Sequence, residues 1–275
     1  MRFLTACGLV AAFVSVAAGQ GTADRGAKVI RLKGFARFTT GNFIFQPLTV
    51  GQVLQPGTVI QTSADEGSYV DIVLGDANAI VPQPMTYRPS IPNSMSSSLT
   101  AFRPTSEQNV VRIWGDSALG VDKLTALQTG ADLVTETELD LKRGRISCNV
   151  KKLPAASKYE VKLPNGIAGV RGTFFDMHSA GIIKVYIGSI VVAWVDPATQ
   201  NVVTQTLVGG QQYDAPTRLV SLLSTDSLSA LQQLSLSLVV AQTVPTTTTL
   251  ASDRTVVGMS PVGAEPGSVQ TGAHQ

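Results

Sequence analysis

Cys148 and His178 are the residues best suited to nucleophilic chemistry in this chain. A cysteine thiolate activated by a histidine can attack a carbonyl carbon, and the other histidine, His274, stands next to the C-terminus. Cys148 alternates in phase with Ile146 and Val150, which predicts a small buried side chain rather than a nucleophile. We therefore expect no catalytic residue, and we expect no metal site or cofactor from so few histidines and cysteines.

Carboxylates are the second group of residues that could do chemistry. Glu136, Glu138 and Asp140 alternate with Thr137, Leu139 and Leu141, a pattern typical of the solvated face of a strand. A glycan hydrolase needs two acids that converge in space, and convergence cannot be read from sequence. An exported carboxylate-dependent glycan hydrolase therefore stays open as an alternative function.

Residues 166–172 form a glycine-rich stretch, Gly-Ile-Ala-Gly-Val-Arg-Gly. A phosphate-binding loop needs glycines that open a helix, so that the helix N-terminus faces the anion. Here Thr173, Phe174 and Phe175 follow, and all three favour strands. The pattern predicts bends in a packed β-layer at Gly166, Gly169 and Gly172.

Basic residues cluster between positions 142 and 171, where Glu160 is the one acid. Several alternate along strands, so that they could share a face that binds an anionic partner; alternatively, the lysines could protect a sheet edge. The acids at 136–140 precede the cluster, and we expect them to offset part of its charge. The predicted basic face comprises Lys142, Arg143, Arg145, Lys151, Lys152, Lys158, Lys162 and Arg171.

The elements that must position these residues are short strands. A period of two dominates the pattern from residue 27 to 218, and turn sequences such as Pro164-Asn165-Gly166 interrupt it. We predict an all-β fold, a single domain of short strands over residues 27–218 in solenoid- or sandwich-like layers. Beyond it, leucines at three- to five-residue steps predict one short C-terminal helix at 226–241, starting at Asp226-Ser227.

Three segments stand outside this pattern. Residues 1–19 have the basic start, apolar run and small-residue end of a secretory signal peptide. Residues 77–108 contain five prolines and predict an irregular inserted loop. Residues 244–275 are rich in threonine, glycine and proline, which predicts a disordered tail. We therefore expect an exported protein, periplasmic or secreted, with no transmembrane segment after signal removal.

Composition narrows the function further. The chain has 275 residues and a formal net charge of +2, so its overall charge gives no reason to expect nucleic acid as a partner. Removal of the signal peptide would leave Cys148 as the one cysteine of the chain, which excludes an internal disulfide. Such a domain must be stabilised by burial alone, for which it is long enough.

The order of several motifs resembles a FecR-type domain. The motifs are Gly51–Thr62, Gly67–Gly75, Leu139–Ile146, Tyr159–Pro164, Val170–Phe174 and Gly188–Val192. The resemblance covers roughly residues 48–213, and its most specific part is Gly172-Thr173-Phe174.

The resemblance implies an all-β extracytoplasmic domain of a bacterial envelope with no catalytic residue to map. The best-known members of this family are sigma-factor regulators with a cytoplasmic segment and a transmembrane helix, so we do not expect their relay function here. We expect a non-catalytic binding or signal-sensing module whose partner is a protein or an anionic envelope polymer. A structural or assembly protein of the envelope remains an alternative, and the oligomeric state is open.

Overall fold

The computed structural model describes residues 22–42, 44–77, 79, 81, 109–130, 132–196 and 199–238. The predicted signal peptide at 1–19, most of the predicted loop at 77–108 and the predicted tail at 244–275 lie outside the described residues. No helix in the described part is long and apolar enough to cross a membrane.

The described part consists mostly of strands, with one helix at its C-terminal end, so the predicted all-β fold with one short helix is confirmed. The elements are β1 (Ala23–Asp24), β2 (Ala27–Lys33), β3 (Ala36–Thr39), β4 (Gln46–Pro47), β5 (Val53–Leu54), β6 (Thr58–Thr62), β7 (Tyr69–Leu74), β8 (Asn109–Trp114), β9 (Ala118–Thr129), β10 (Asp132–Arg143), β11 (Arg145–Asn149), β12 (Lys158–Leu163), β13 (Gly166–His178), β14 (Ile182–Val195), β15 (Val202–Val208), β16 (Gln211–Asp214), β17 (Leu219–Leu222) and α1 (Thr225–Ser237).

The strands form a curled sheet, a half-barrel with two arms. In the first arm the pairing order is β3, β6, β9, β10 and β12. In the second arm it is β5, β2, β7, β8 and β11. The long strands β13 and β14 join the arms, and β15 and β17 are the last strands beyond them.

The two arms meet at a glycine bend in β13 and β14. The ladder between these strands shifts between Arg171 and Phe174. Gly172 has φ +60°, and a Cβ there would stand 2.9 Å from Lys152 Cα. On the facing strand, Gly188 has φ +91°, and its Cβ would stand 2.5 Å from the Gly172 carbonyl oxygen. Only glycine fits such a bend without strain, so the bend predicted at Gly172 is confirmed.

The inner faces of both arms enclose one apolar core. Alternating strand residues point inward from each arm, and burial of each large side chain stabilises the fold by about 1.5–3 kcal/mol. Fully buried members from the first arm include Ile60, Leu119 and Leu139, and those from the second include Ile72, Ile113 and Phe175.

A second apolar cluster lies on the outer face of the second arm, under α1. Leu231 of the helix and Leu238 after it pack with Val73, Val110 and Phe174. This cover helps to explain why β7 and β8 are buried on both faces.

The helix begins one residue before its predicted start. Ser224 is its N-cap, and the Ser224 hydroxyl accepts a hydrogen bond from the backbone N–H of Ser227 at 3.2 Å. The helix ends at Ser237 rather than at 241, and residues beyond 238 lie outside the described part.

A candidate binding surface

The outer face of the first arm carries a ladder of alternating charges. Parallel pairing of β10 with β12 places Glu136 beside Lys158 and Asp140 beside Lys162. Because both strands point alternate residues outward, the acids predicted to offset the basic cluster stand directly next to it. The charged ladder comprises Asp122, Lys123, Glu136, Glu138, Asp140, Lys158, Glu160 and Lys162.

Glu138 is the centre of the charged ladder. Its two carboxylate oxygens lie 3.4 Å from Lys158 Nζ and 3.2 Å from Lys162 Nζ. The hydrogen bond from Lys162, together with the positive charge of both lysines, holds the pKa of Glu138 below its ordinary value. Conversely, the carboxylate of Glu160 raises the pKa of Lys158, and that of Asp122 raises the pKa of Lys162. These shifts favour the charged forms of Glu138, Lys158 and Lys162.

A lowered pKa at Glu138 is unfavourable for glycan hydrolysis. A glycosidase needs one acid whose pKa is raised, so that it can protonate the leaving oxygen. In the ladder, by contrast, Glu138 has a lowered pKa, and Glu136 lies 2.6 Å from Lys123 Nζ. The converging acids that the sequence left open do converge here, but as the partners of lysines.

Three other members of the predicted basic face also pair with acids. Lys142 pairs with Asp140 at 2.5 Å, Arg143 with Asp116 at 2.6 Å, and Arg145 with Asp176 at 2.8 Å. Together with Lys158 and Lys162, five of the eight predicted cations are therefore neutralised locally. The sequence could not show this, because most of these partners are distant in the chain.

The remaining three cations stand in the two chain segments that meet at the glycine bend, and we name them the basic corner: Lys151, Lys152 and Arg171. None of them forms an ion pair with an acid in the described part. The segment after β11 crosses β13 at the glycine bend, where Val150 donates a backbone hydrogen bond to Thr173 at 3.0 Å. This crossing places Lys152 against Gly172, next to Arg171.

An open pocket of about 250 Å³ lies beside the basic corner. Arg171 and Lys158 line it together with the hydroxyl-bearing Ser157 and Ser189, and Glu160 stands at the same pocket. Arg171 also donates a hydrogen bond to the carbonyl oxygen of Ala155 at 2.9 Å, which fixes its guanidinium at the pocket. The pocket is below the size of typical drug-sized ligand sites, so it fits one small polar group rather than a whole cofactor.

The second arm carries a buried ion-pair network that sequence reasoning missed. Asp71 is 0% exposed and accepts two hydrogen bonds from Arg112, at 2.7 and 2.8 Å, and one from Arg31 at 3.1 Å. Burial is the largest single influence on the pKa of Arg112 and lowers it, but the hydrogen bonds and the negative charge of Asp71, with a smaller contribution from Tyr69, together raise that pKa overall. Arg31 also donates to the carbonyl oxygen of Ser237, which links the network to the end of α1.

The network continues across the arm as a row of polar and aromatic groups. Ser147 donates to Asp176 at 2.6 Å and accepts from the indole N–H of Trp114 at 2.8 Å. The guanidinium of Arg145 lies 4.8 Å from the Trp114 ring centre, a cation–π distance. The sequence contains a signal for this pair, because Asp71 and Arg112 each interrupt a run of apolar residues. The structure then places them opposite each other on the neighbouring strands β7 and β8.

Cys148 and His178 do not form a pair. Cys148 stands opposite Phe175 with its side chain in the core, whereas His178 stands opposite Arg145 at the exposed end of β13. Burial raises the pKa of the Cys148 thiol far above its ordinary value, so that it stays protonated and unreactive. Within the described residues, no group of three or more histidine, cysteine or carboxylate side chains could hold a metal ion.

The family comparison confirms the resemblance found in the sequence. The family model described as FecR protein matches residues 104–190, a narrower range than the 48–213 that the motifs cover. The match includes the glycine bend and the basic corner.

Solved structures give only a weak likeness. Two crystal structures of a protein from Parabacteroides distasonis ATCC 8503, described as a candidate anti-sigma factor, were determined at 2.50 and 1.65 Å resolution. Each has 13% sequence identity and a TM-score of 0.32, and the alignment covers 46% of this chain. It spans 55% and 56% of those chains, about half of their length. No curated protein matches this chain.

Proposed function

We propose that this chain, which carries a FecR-type match over residues 104–190, is a non-catalytic binding or signal-sensing module exported to a bacterial cell envelope. Its partner presents an anionic group, on a protein or on an envelope polymer. The export proposal comes from the signal-peptide pattern at residues 1–19.

One observation carries the proposal: the basic corner. Among the described residues, Lys151, Lys152 and Arg171 form no ion pair with an acid, and Lys152 lies against Gly172, next to Arg171. The other five cations of the basic cluster are ion-paired. An ion pair at the surface attracts a charged ligand only weakly, because its two opposite charges largely cancel each other's field. An unpaired cluster instead keeps a local positive potential that attracts anions.

The neighbouring pocket supports the same function. It provides hydroxyl groups next to Arg171, and a guanidinium presents several donors that match carboxylate and phosphate oxygens. Glu160 at the same pocket would disfavour a densely charged anion. A singly charged carboxylate, as on an acidic side chain or an acidic sugar, therefore fits this surface better than a phosphate cluster.

The test is salt-dependent retention on an anionic matrix that carries carboxylates, such as carboxymethyl cellulose. The net charge is only +2, so retention would report the local cluster rather than the whole molecule. We expect the wild type to bind at low salt and to elute below about 0.5 M salt, since screening removes exposed charge interactions. The triple variant Lys151→Gln, Lys152→Gln, Arg171→Gln should flow through.

A matched control removes three other cations. Lys28, Lys33 and Lys184 also lack an acidic ion-pair partner in the described part, but they stand apart, at the two ends of β2 and on β14. Their triple glutamine variant has the same net charge as the basic-corner variant and should elute like the wild type. Equal losses in both variants would reject the proposal, because they would reflect total charge alone.

Crosslinking in native envelope, followed by capture of the tagged protein, would identify the partner. Peptides of a second protein in the crosslinked species, identified by mass spectrometry, would indicate a protein partner. A crosslinked species of increased mass that contains peptides of this chain alone would indicate a polymer. The basic-corner variant should lose either species, and the control variant should retain it.

A further inference from the structure

The strand β15 is an open edge with an unusual composition. Among the described residues it pairs only with β14. Its sequence, Val-Val-Thr-Gln-Thr-Leu-Val, contains no charge and no proline, although edge strands are usually protected by one or the other. Val202 and Val208 at its two ends are 65% and 49% exposed.

The backbone of β15 leaves alternate residues free to pair. Gly209, just after the strand, donates to the Gly188 carbonyl oxygen on the β14 side, and bonding alternates along an antiparallel strand. The backbone groups of Val202, Thr204, Thr206 and Val208 therefore face outward. Two of these outward-facing backbone groups already bond to side chains of the same chain. The Val208 N–H donates to the Gln211 side chain, and the Thr206 carbonyl oxygen accepts from the Gln205 side chain.

The sequence of β15 is nearly palindromic about Gln205. Read outward from this residue in both directions, threonine meets threonine, valine meets leucine, and valine meets valine. An antiparallel strand pair places residues at equal distances from its centre opposite each other. Two copies of β15 therefore match each other in side-chain type at every position.

We propose that two copies of this chain associate through β15, antiparallel and centred on Gln205. Thr204 then stands opposite Thr206 of the second copy, and Val202 opposite its Val208. These four residues have outward-facing backbone groups, so the register forms about eight backbone hydrogen bonds. Like side chains opposite each other, as in threonine and valine pairs, add to the stability of such a ladder.

The charges permit this pairing, and the small contact limits its strength. Asn201 and Gly209 stand opposite each other at the ends of the register, so no like charges meet along the strand. A seven-residue strand is only about 23 Å long, which places the interface below the usual size of stable complexes. We expect a dimer with a dissociation constant of roughly 10–100 μM. The two-fold arrangement uses the same edge on both copies, so it closes as a dimer and does not extend into a fibre.

Charge substitutions at positions 204 and 206 test the register. In the double variant Thr204→Lys, Thr206→Lys, each lysine faces a lysine of the second copy. In Thr204→Glu, Thr206→Glu, each glutamate faces a glutamate. Sedimentation velocity of the full chain from about 5 to 500 μM brackets the expected dissociation constant. We expect the wild type to dimerise and each double variant to weaken association by about 100-fold or more.

An equimolar mixture of the lysine and glutamate variants should dimerise again, because every lysine then faces a glutamate. A lysine pair on the other terminal strand, Leu219→Lys with Ser221→Lys on β17, is the control and should dimerise like the wild type. A wild type that is monomeric at the highest concentration overturns the proposal. So do double variants that dimerise normally, or a mixture that stays monomeric while both variants have wild-type circular dichroism.

Discussion

Replacing Asp71 by asparagine should be among the most destabilising conservative changes in this protein. The Asp71 side chain is 0% exposed and that of Arg112 only 9%. Their two hydrogen bonds of 2.7 and 2.8 Å use both carboxylate oxygens. An asparagine keeps the shape but turns an NH₂ group toward the guanidinium donors, and Arg112 is left as a buried charge without a counter-ion.

The size of the effect follows from the burial. Removal of one partner of a buried ion pair costs about 3–5 kcal/mol, because the other charge remains desolvated. Arg112 keeps its cation–π contact with Tyr69, whose ring centre lies 4.1 Å from its Cζ atom, so this contact does not change the difference between the two proteins. We therefore expect a loss of about 3–5 kcal/mol, equivalent to a fall in Tm of roughly 6–20 °C for a domain of this size.

The assay is urea unfolding followed by circular dichroism, with Asp116→Asn as the matched control. Asp116 also forms an ion pair, with Arg143 at 2.6 Å, but these side chains are 60% and 65% exposed. Water screens such a pair, so its loss should cost less than about 1 kcal/mol.

A further variant separates the buried charge from the lost contact. Combining Asp71→Asn with Arg112→Met removes the unpaired guanidinium, and it should recover at least half of the lost free energy of unfolding. Similar losses for Asp71→Asn and Asp116→Asn would refute the reasoning, because burial would then not determine the energy of these pairs.

Three further predictions concern other parts of the molecule. Gly172→Ala should lower the free energy of unfolding by about 1–3 kcal/mol, measured in urea, because its backbone is left-handed and the new Cβ would meet Lys152; Gly169→Ala, where the nearest atom is 3.9 Å away, should cost much less. The pKa of Glu138 is lowered on folding, so the stability that its carboxylate contributes is present above its ordinary pKa and is lost as the pH falls through the folded pKa. Glu138→Gln should therefore flatten the decline of Tm between about pH 5 and 3. An unchanged slope would contradict this. Cys148 should react with a thiol reagent only as fast as the protein unfolds, since its thiol is buried and protonated, and rapid labelling of the folded protein would show otherwise.

Much of the fold could be predicted from local patterns, and the glycine bend is the clearest case. The residues next to Gly172 favour strands, so a bend was the simplest explanation for a glycine at this position. The φ of +60° at Gly172 agrees with that prediction. Gly169 in the same stretch has no positive φ, and a Cβ there would make only an ordinary contact, 3.9 Å from the Val191 carbonyl oxygen, so the bend predicted there is not found. A glycine is compatible with both situations, so its identity alone could not distinguish them.

The candidate site was less predictable, because charge on a surface depends on which strands become neighbours. The sequence places Lys158 and Lys162 in a basic run, but Glu138 lies some twenty residues earlier and reaches them only through the parallel pairing of β10 with β12. Lys151 and Lys152 belong to the same run and find no acid in the described part. Only the register of the sheet separates the paired lysines from the unpaired ones.

The sequence by itself determined the all-β class, the turns and the burial of Cys148, because these depend on alternation and on residues adjacent in the chain. The tertiary structure decided which charges are cancelled, which form the basic corner, and why Asp71 and Arg112 can be buried in apolar strands. It also decided that the near-palindrome of β15 stands at an edge with no second strand partner among the described residues. These properties depend on contacts between residues distant in sequence, and local periodicity carries no information about such contacts.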